Sequence, residues 1–233
     1  MNFEIEPLGD SVVLLRFGEE ISRSTNELVQ RAAYELEANP FKGMKELIPA
    51  FSTLAVEYSP VEMGGEFPYE TAESCIRDIL QKVENLHNSN SKIVKIPVCY
   101  EAPHALDIEE LGAYTGLTVE EVISLHTTTD YYVYFLGFAP GFPFLGGMPE
   151  QIAMPRKSSP REKIPAGSVG IAGRQTGVYP IETPGGWQII GRTPKTFFSP
   201  DSENPVLVSP GDTVQFYQIS IDEYNGWERG GEL

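Results

Sequence analysis

Three segments poor in helix formers carry the side chains best suited to holding a small anion. They read FLGFAPGFPFLGG (135–147), PRKSSPREKIPAGSVGIAGRQTGVYP (155–180) and TPGGWQIIGRTP (183–194). Arg156, Arg161 and Arg192 offer planar forks of N–H donors that match a carboxylate or phosphate two bonds at a time. Phe138, Pro140 and Phe142 sit on Gly/Pro loops, where an apolar wall loses little conformational entropy on binding. Gln175 and Tyr179 add neutral hydrogen-bonding groups that could orient a ligand. Together these residues compose a pocket for a small, flat, anionic molecule. The same composition also describes phenylalanines in a barrel core and arginines that tie loops to backbone carbonyls, and the sequence leaves the two readings open.

Charge follows the same division. The chain carries a formal net charge of −16, which repels a phosphate backbone and argues against nucleic acid as a partner. Residues 135–195 nevertheless hold Arg156, Lys157, Arg161, Lys163, Arg174, Arg192 and Lys195 against Glu150, Glu162 and Glu182. A basic island in an acidic chain concentrates small anions or docks an acidic surface, unless its placement is incidental. His126 is the one catalytic candidate. It falls at the predicted end of a helix, where the dipole would favour imidazolium and raise its pKa. A proton donor or a plain helix-end cap would both fit there. His104 reads as solvent-facing and His87 as a charge closing a helix.

No Walker-type loop, dinucleotide fingerprint or nucleophile elbow is present, and no His or Cys pair has metal-ligand spacing. GSVGIAG (167–173) spaces its glycines by threes without opening a helix. Cys75 and Cys99 read as buried structural thiols. No signal peptide is legible and no apolar run is long enough to span a bilayer, so a cytoplasmic chain without membrane association is expected. Any catalysis is expected at a site shared with other chains.

The elements that must position these residues fall into two halves. FEIEPLG and DSVVLLRFG read as a hairpin, and residues 22–38 as a helix with apolar positions Leu28, Val29, Ala32, Ala33 and Leu36. KELIPAF and TLAVEYS read as a second hairpin. Residues 69–87 carry the clearest helical stripe, and SKIVKIPVCY reads as a strand closing the set. This order predicts a ferredoxin-like α+β domain over 1–90. Beyond it, Asp107 reads as an N-cap with Glu110 three residues on, and Thr118 with Glu121 as a capping box. From 135 the helical signal disappears. Short apolar runs (SVGIA, VYPIE, WQIIG, PVLVS, TVQFYQI) between turn residues predict a mainly β barrel domain over 91–233. Many of its glycines are expected at corners that need positive φ.

GFAPGFPFLGG, PRKSSPR, IPAGSVGIAGRQTGVYP and TPGGWQIIGRTP resemble the family that includes the B subunit of bacterial 5-oxoprolinase and the kinase inhibitor KipI, also called the allophanate hydrolase subunit 1 family. LGDSVVLLRFGEEIS and ELIPAFSTLAVEY extend the resemblance over nearly the whole chain. The resemblance implies a ferredoxin-like domain followed by a cyclophilin-like barrel. It implies a component that works with 5-oxoprolinase subunits A and C to open 5-oxoproline to glutamate using ATP, with magnesium, in the complex. It also implies an alternative, less favoured, an inhibitor that docks on a sensor histidine kinase. Barrel shape alone does not imply a prolyl isomerase.

Overall fold

The computed structural model describes residues 2–81 and 91–228, so His87 lies outside the described residues. They fall into two compact units divided between residues 90 and 91.

The first unit runs β1 (Glu4–Pro7), β2 (Val12–Arg16), α1 (Arg23–Ala38), β3 (Met44–Pro49), β4 (Thr53–Tyr58), a single turn α2 (Pro60–Met63) and α3 (Pro68–Gln81). Ser22 starts α1 by accepting the Thr25 amide at 3.1 Å, a side-chain bond that satisfies one of the orphan donors of the first turn. The strands form an antiparallel sheet in the order β1-β2-β4-β3. Strand alternation sends Val13, Leu15, Leu54, Val56 and Tyr58 to one face. There they bury the stripes Val29, Ala32 and Leu36 of α1 and Ala72, Ile76 and Leu80 of α3.

One expectation fails here. Segment 93–99 does not close this sheet; as β5 (Ile93–Cys99) it lies in the second unit, parallel to β13 (Thr213–Ile219). The sheet edge beside β2 is instead taken by β1 through a short hairpin, which costs far less chain entropy than a returning strand. The burial of β5 explains its choice. Ile96, Val98 and Cys99 are fully buried, a continuous run suited to a strand covered on both faces.

The second unit adds α4 (Ile108–Thr115), α5 (Val119–Thr127), β6 (Asp130–Leu136), β7 (Pro143–Gly146), β8 (Arg161–Ile164), β9 (Ser168–Ala172), β10 (Gln175–Val178), β11 (Thr183–Gly185), β12 (Gln188–Arg192) and α6 (Ile221–Glu228). Seven strands close a barrel in the order β10-β7-β6-β13-β5-β12-β9, while β8 and β11 form a separate ribbon. The interior is apolar, including Val98, Val133, Leu145, Val169, Ile171, Val178, Ile190 and Phe216. The capping box at α5 is present, with the Thr118 amide donating to Glu121 at 2.8 Å and the Glu121 amide to Thr118 at 3.2 Å.

Three local readings need correction. VYPIE is not one strand, because β10 ends at Val178 before Pro180. PVLVS forms an isolated bridge, Phe198 with Val206, rather than a ladder. A helix, α6, follows the barrel, and Ser220 and Glu223 form its reciprocal cap; the tetrapeptide SIDE carried that signal.

Candidate functional site

The wall of the candidate site lies on the outer face of the barrel. Gly170 of β9 pairs with Gly177 of β10, and alternation points both away from the interior that holds Val169, Ile171 and Val178. A Cβ on Gly177 would stand 3.0 Å from Phe142 and 3.2 Å from Trp187, and one on Gly170 would stand 3.1 Å from Trp187. The two glycines therefore let aromatic rings lie against bare backbone. Phe142 is the centre of this cluster, its ring 5.6 Å from Phe138, 5.3 Å from Phe144, 5.8 Å from Tyr179 and 5.5 Å from Trp187. Of the eleven glycines between 135 and 194, only 141, 147, 167 and 173 have positive φ, so close packing outweighs corner-turning as their role.

Beside this wall sits a buried ionic cluster. Asp107, 3% exposed in its side chain, receives Arg161 Nη2 at 2.6 Å and Lys157 Nζ at 3.0 Å on one oxygen. Its other oxygen accepts the Ile189 amide at 2.6 Å. Lys157 also reaches Glu110 at 3.0 Å. Burial alone would raise the Asp107 pKa, but the hydrogen bonds from Arg161, Ile189 and Lys157 outweigh it and hold the carboxyl below its usual value. Arg161 Nη1 is shielded from solvent and has no hydrogen-bond partner. Tyr179 lies within the field of Arg156 and Arg161; burial pushes its hydroxyl up to about 12, against the Trp187 amide and the two arginines.

His126 occupies a different environment, inside the barrel. Its Nδ1 is 2.7 Å from the Tyr100 hydroxyl and its Nε2 is 2.9 Å from Thr176 Oγ1. Thr176 spends its one proton on the Gly170 carbonyl at 3.1 Å, so Nε2–H is the donor and Nδ1 accepts from Tyr100. The ring stacks on Phe216 with centroids 4.6 Å apart. Burial drives its pKa down to about 3. The expected rise from the helix dipole is overturned, because desolvation of a fully enclosed cation exceeds a helix-end field.

The sequence of the barrel and its preceding unit matches the family described as carboxyltransferase domain, subdomains C and D, over residues 3–208. The B subunit of 5-oxoprolinase from Bacillus subtilis (strain 168) is 49% identical over 98% of this chain and 98% of its own length. The chain belongs to the 5-oxoprolinase B-subunit family. The corresponding 5-oxoprolinase component of Escherichia coli O157:H7 is 36% identical, across 90% of this chain and 93% of that protein. Among solved structures, the crystal structure of TTHA0988 superposes with a TM-score of 0.78 at 34% identity. It covers 90% of this chain, which spans about 40% of the TTHA0988 chain.

Within this member of the family the predicted site residues separate. Arg161 and Tyr179 meet at the aromatic wall, and Arg156 is exposed beside them. Phe142 and Tyr179, 2% and 1% exposed, are structural members of that wall and not its lining. Phe138 is 73% exposed and, alone among the described non-glycine residues, has a positive φ, 66°; Pro140 is exposed on the same loop. Gln175 begins β10, four residues from Tyr179 and thus roughly 13 Å along the strand. Arg192 donates to the Ala166 carbonyl at 2.9 Å and lies over the Tyr224 ring at 5.9 Å, engaged there and not on Asp107. His104 is half-buried against Tyr224, with ring centroids 4.1 Å apart, and not solvent-facing.

Asp107 is the principal residue the motif reading missed. It stands at the N-cap position of α4 but makes no side-chain cap; its carboxylate serves the ionic cluster instead. The signal available was the acidic run Asp107, Glu109 and Glu110 and a basic segment 50 residues on, too weak to assign a pairing. A shallow cavity of about 450 Å³ lies elsewhere, lined by Tyr100, Glu101, Ile123, Ser124, Thr127 and Gln218 among others, and by none of the predicted residues.

Proposed function

We propose that this chain is the B component of an ATP-dependent 5-oxoprolinase that, with subunits A and C, opens 5-oxo-L-proline to L-glutamate. The observation that carries the reading is the 49% identity to a 5-oxoprolinase B component across 98% of both chains. The geometry supports it. The substrate is a flat lactam bearing one carboxylate, and Arg161, Lys157 and Arg156 gather beside an aromatic wall on the barrel. Their roles are binding and electrostatic, since a cation held in place stabilises negative charge without reorganising.

Opening the ring breaks the lactam C–N bond, with water adding to the carbonyl carbon and the ring nitrogen leaving with a proton. An unactivated lactam resists that attack, and ATP used by the complex supplies the activation. The sequence carries no Walker-type loop to cradle phosphates. Among the described residues no group of three His, Cys, Asp or Glu side chains could hold a metal ion. GSVGIAG runs into strand β9 and not into a helix N-terminus.

The same kinship supports the finer assignment of residues 1–90 as ferredoxin-like and 91–233 as a cyclophilin-like barrel in a cytoplasmic complex. Among the described residues no helix is long and apolar enough to cross a membrane. Phe142 and Tyr179 are sealed in the wall, so in the alternative reading, a sensor-kinase inhibitor, a kinase side chain would meet exposed Phe138 and Pro140 and not those two rings. The test is reconstitution. Glutamate should be released from 5-oxo-L-proline, with ATP consumed, only when this chain is mixed with its A and C partners; an inactive mixture of folded subunits rejects the reading.

A further inference from the structure

The ionic cluster holds more than an ion pair needs. Asp107 and Ile189 exchange two hydrogen bonds, the Asp107 amide to the Ile189 carbonyl at 2.8 Å and the Ile189 amide to the carboxylate at 2.6 Å. The carboxylate is thereby locked to strand β12 and cannot swing. On its other oxygen it fixes one nitrogen of Arg161 and the ammonium of Lys157. Two cations share one buried anion, and Glu110, the other acidic partner of Lys157, is 60% exposed at the rim. Lys157 is balanced by Glu110 at that rim, which leaves Asp107 to Arg161 and one nitrogen of the guanidinium fork unused. Arg161 Nη1, shielded and unpartnered, is a donor whose desolvation nothing in the chain offsets. Buried donors left without an acceptor are rare and costly, and each calls for an acceptor from outside the chain, such as water, an ion or a ligand, or for a strained geometry. Arg31 Nε is another such donor, but Arg161 is the one beside the aromatic wall.

We propose that Asp107 is a positioning residue that orients Arg161 so that Nη1 receives the carboxylate of the substrate. This rests on the 5-oxoprolinase reading and names the group in this chain that recognises one part of that substrate. A carboxylate supplies the acceptor that the free nitrogen of the fork lacks, and a guanidinium already held at one end loses little freedom on binding it. Because Nη1 is shielded, neighbouring atoms must move to admit the ligand. Residues 155–160 lack regular structure and are exposed except at half-buried Lys157. Lys157 within this segment is joined to Arg161 through Asp107, so the segment is the stretch whose movement would uncover Nη1.

The test uses the reconstituted three-subunit complex with wild-type chain, Asp107→Asn and Arg161→Lys, assayed with 5-oxo-L-proline alongside thermal melts of the isolated chains. Asp107→Asn keeps an acceptor for the Ile189 amide but releases the two cations. KM should rise at least tenfold with kcat changed less than threefold. A purely structural Asp107 would lower the melting temperature and leave KM of the folded protein unmoved. Arg161→Lys keeps the charge and the pairing to Asp107 but lacks the second nitrogen, and should raise KM similarly even if the Asn variant fails to fold. KM within twofold of wild type in either folded variant overturns the assignment. An inactive wild-type complex instead rejects the proposed function, and the positioning role with it.

Discussion

The barrel unit contains two buried polar clusters that teach opposite lessons. Around His126 every side-chain polar atom has a partner: Tyr100 donates to the ring, the ring donates to Thr176, and Thr176 donates to a backbone carbonyl. The cluster is neutral, enclosed by Phe216 and Tyr131, and complete without a ligand. Around Asp107 the hydrogen bonding does not close, because Arg161 Nη1 lacks an acceptor. A histidine is the residue type more often associated with catalysis, yet here it is scaffold. What marks a site is an unfinished network, not the chemistry of one side chain.

The contrast can be broken by experiment. The largest effect is expected at the finished cluster: His126→Ala should destabilise the fold by about 4 kcal/mol, from a cavity and the orphaned Tyr100 hydroxyl. Denaturant unfolding measures it, and kcat of the folded fraction should stay within twofold. At the unfinished cluster Arg161→Ala should lower kcat/KM of the complex about a hundredfold, or roughly 2.7 kcal/mol. A small activity loss there, or a large one for folded His126→Ala, would invert the comparison.

Acid separates the clusters further. An unfolded chain protonates His126 near pH 6.5, whereas the folded chain refuses that proton until about 3. Stability should therefore fall by about 2 kcal/mol between pH 7 and 5, a slope that His126→Gln removes in pH-dependent unfolding. Asp107, held below the ordinary carboxylate value, contributes fully above that value and loses its contribution only as pH falls further through its folded pKa. It should add no slope in the same window. Gly177→Ala should cost about 1 kcal/mol as its methyl meets Phe142, read as a shift in denaturation midpoint. Smallest of all, Arg192→Ala should change kcat/KM less than threefold, since its guanidinium is engaged with Ala166 and Tyr224.

Legibility followed the distance between the residues involved. Thr118 and Glu121 lie three apart, and their cap was readable; so were the stripe of α1 and both hairpins of the first unit. The aromatic–basic character of 135–194 was readable as well, because composition alone expresses it. The fate of segment 93–99 was not. An apolar run of that length serves equally as an edge or as a core strand, and its partner β13 lies about 120 residues on.

By itself, then, the sequence determined the local elements, the charge island and the kinship to the B component of 5-oxoprolinase, since these depend on neighbours in the chain or on long stretches of matching residues. Tertiary structure alone decided which phenylalanines are wall, and that Asp107 meets Arg161 across 54 residues and Ile189 across 82. The physical reason is that burial and pairing set the energy of a charge, and both are created only when distant strands close into a barrel.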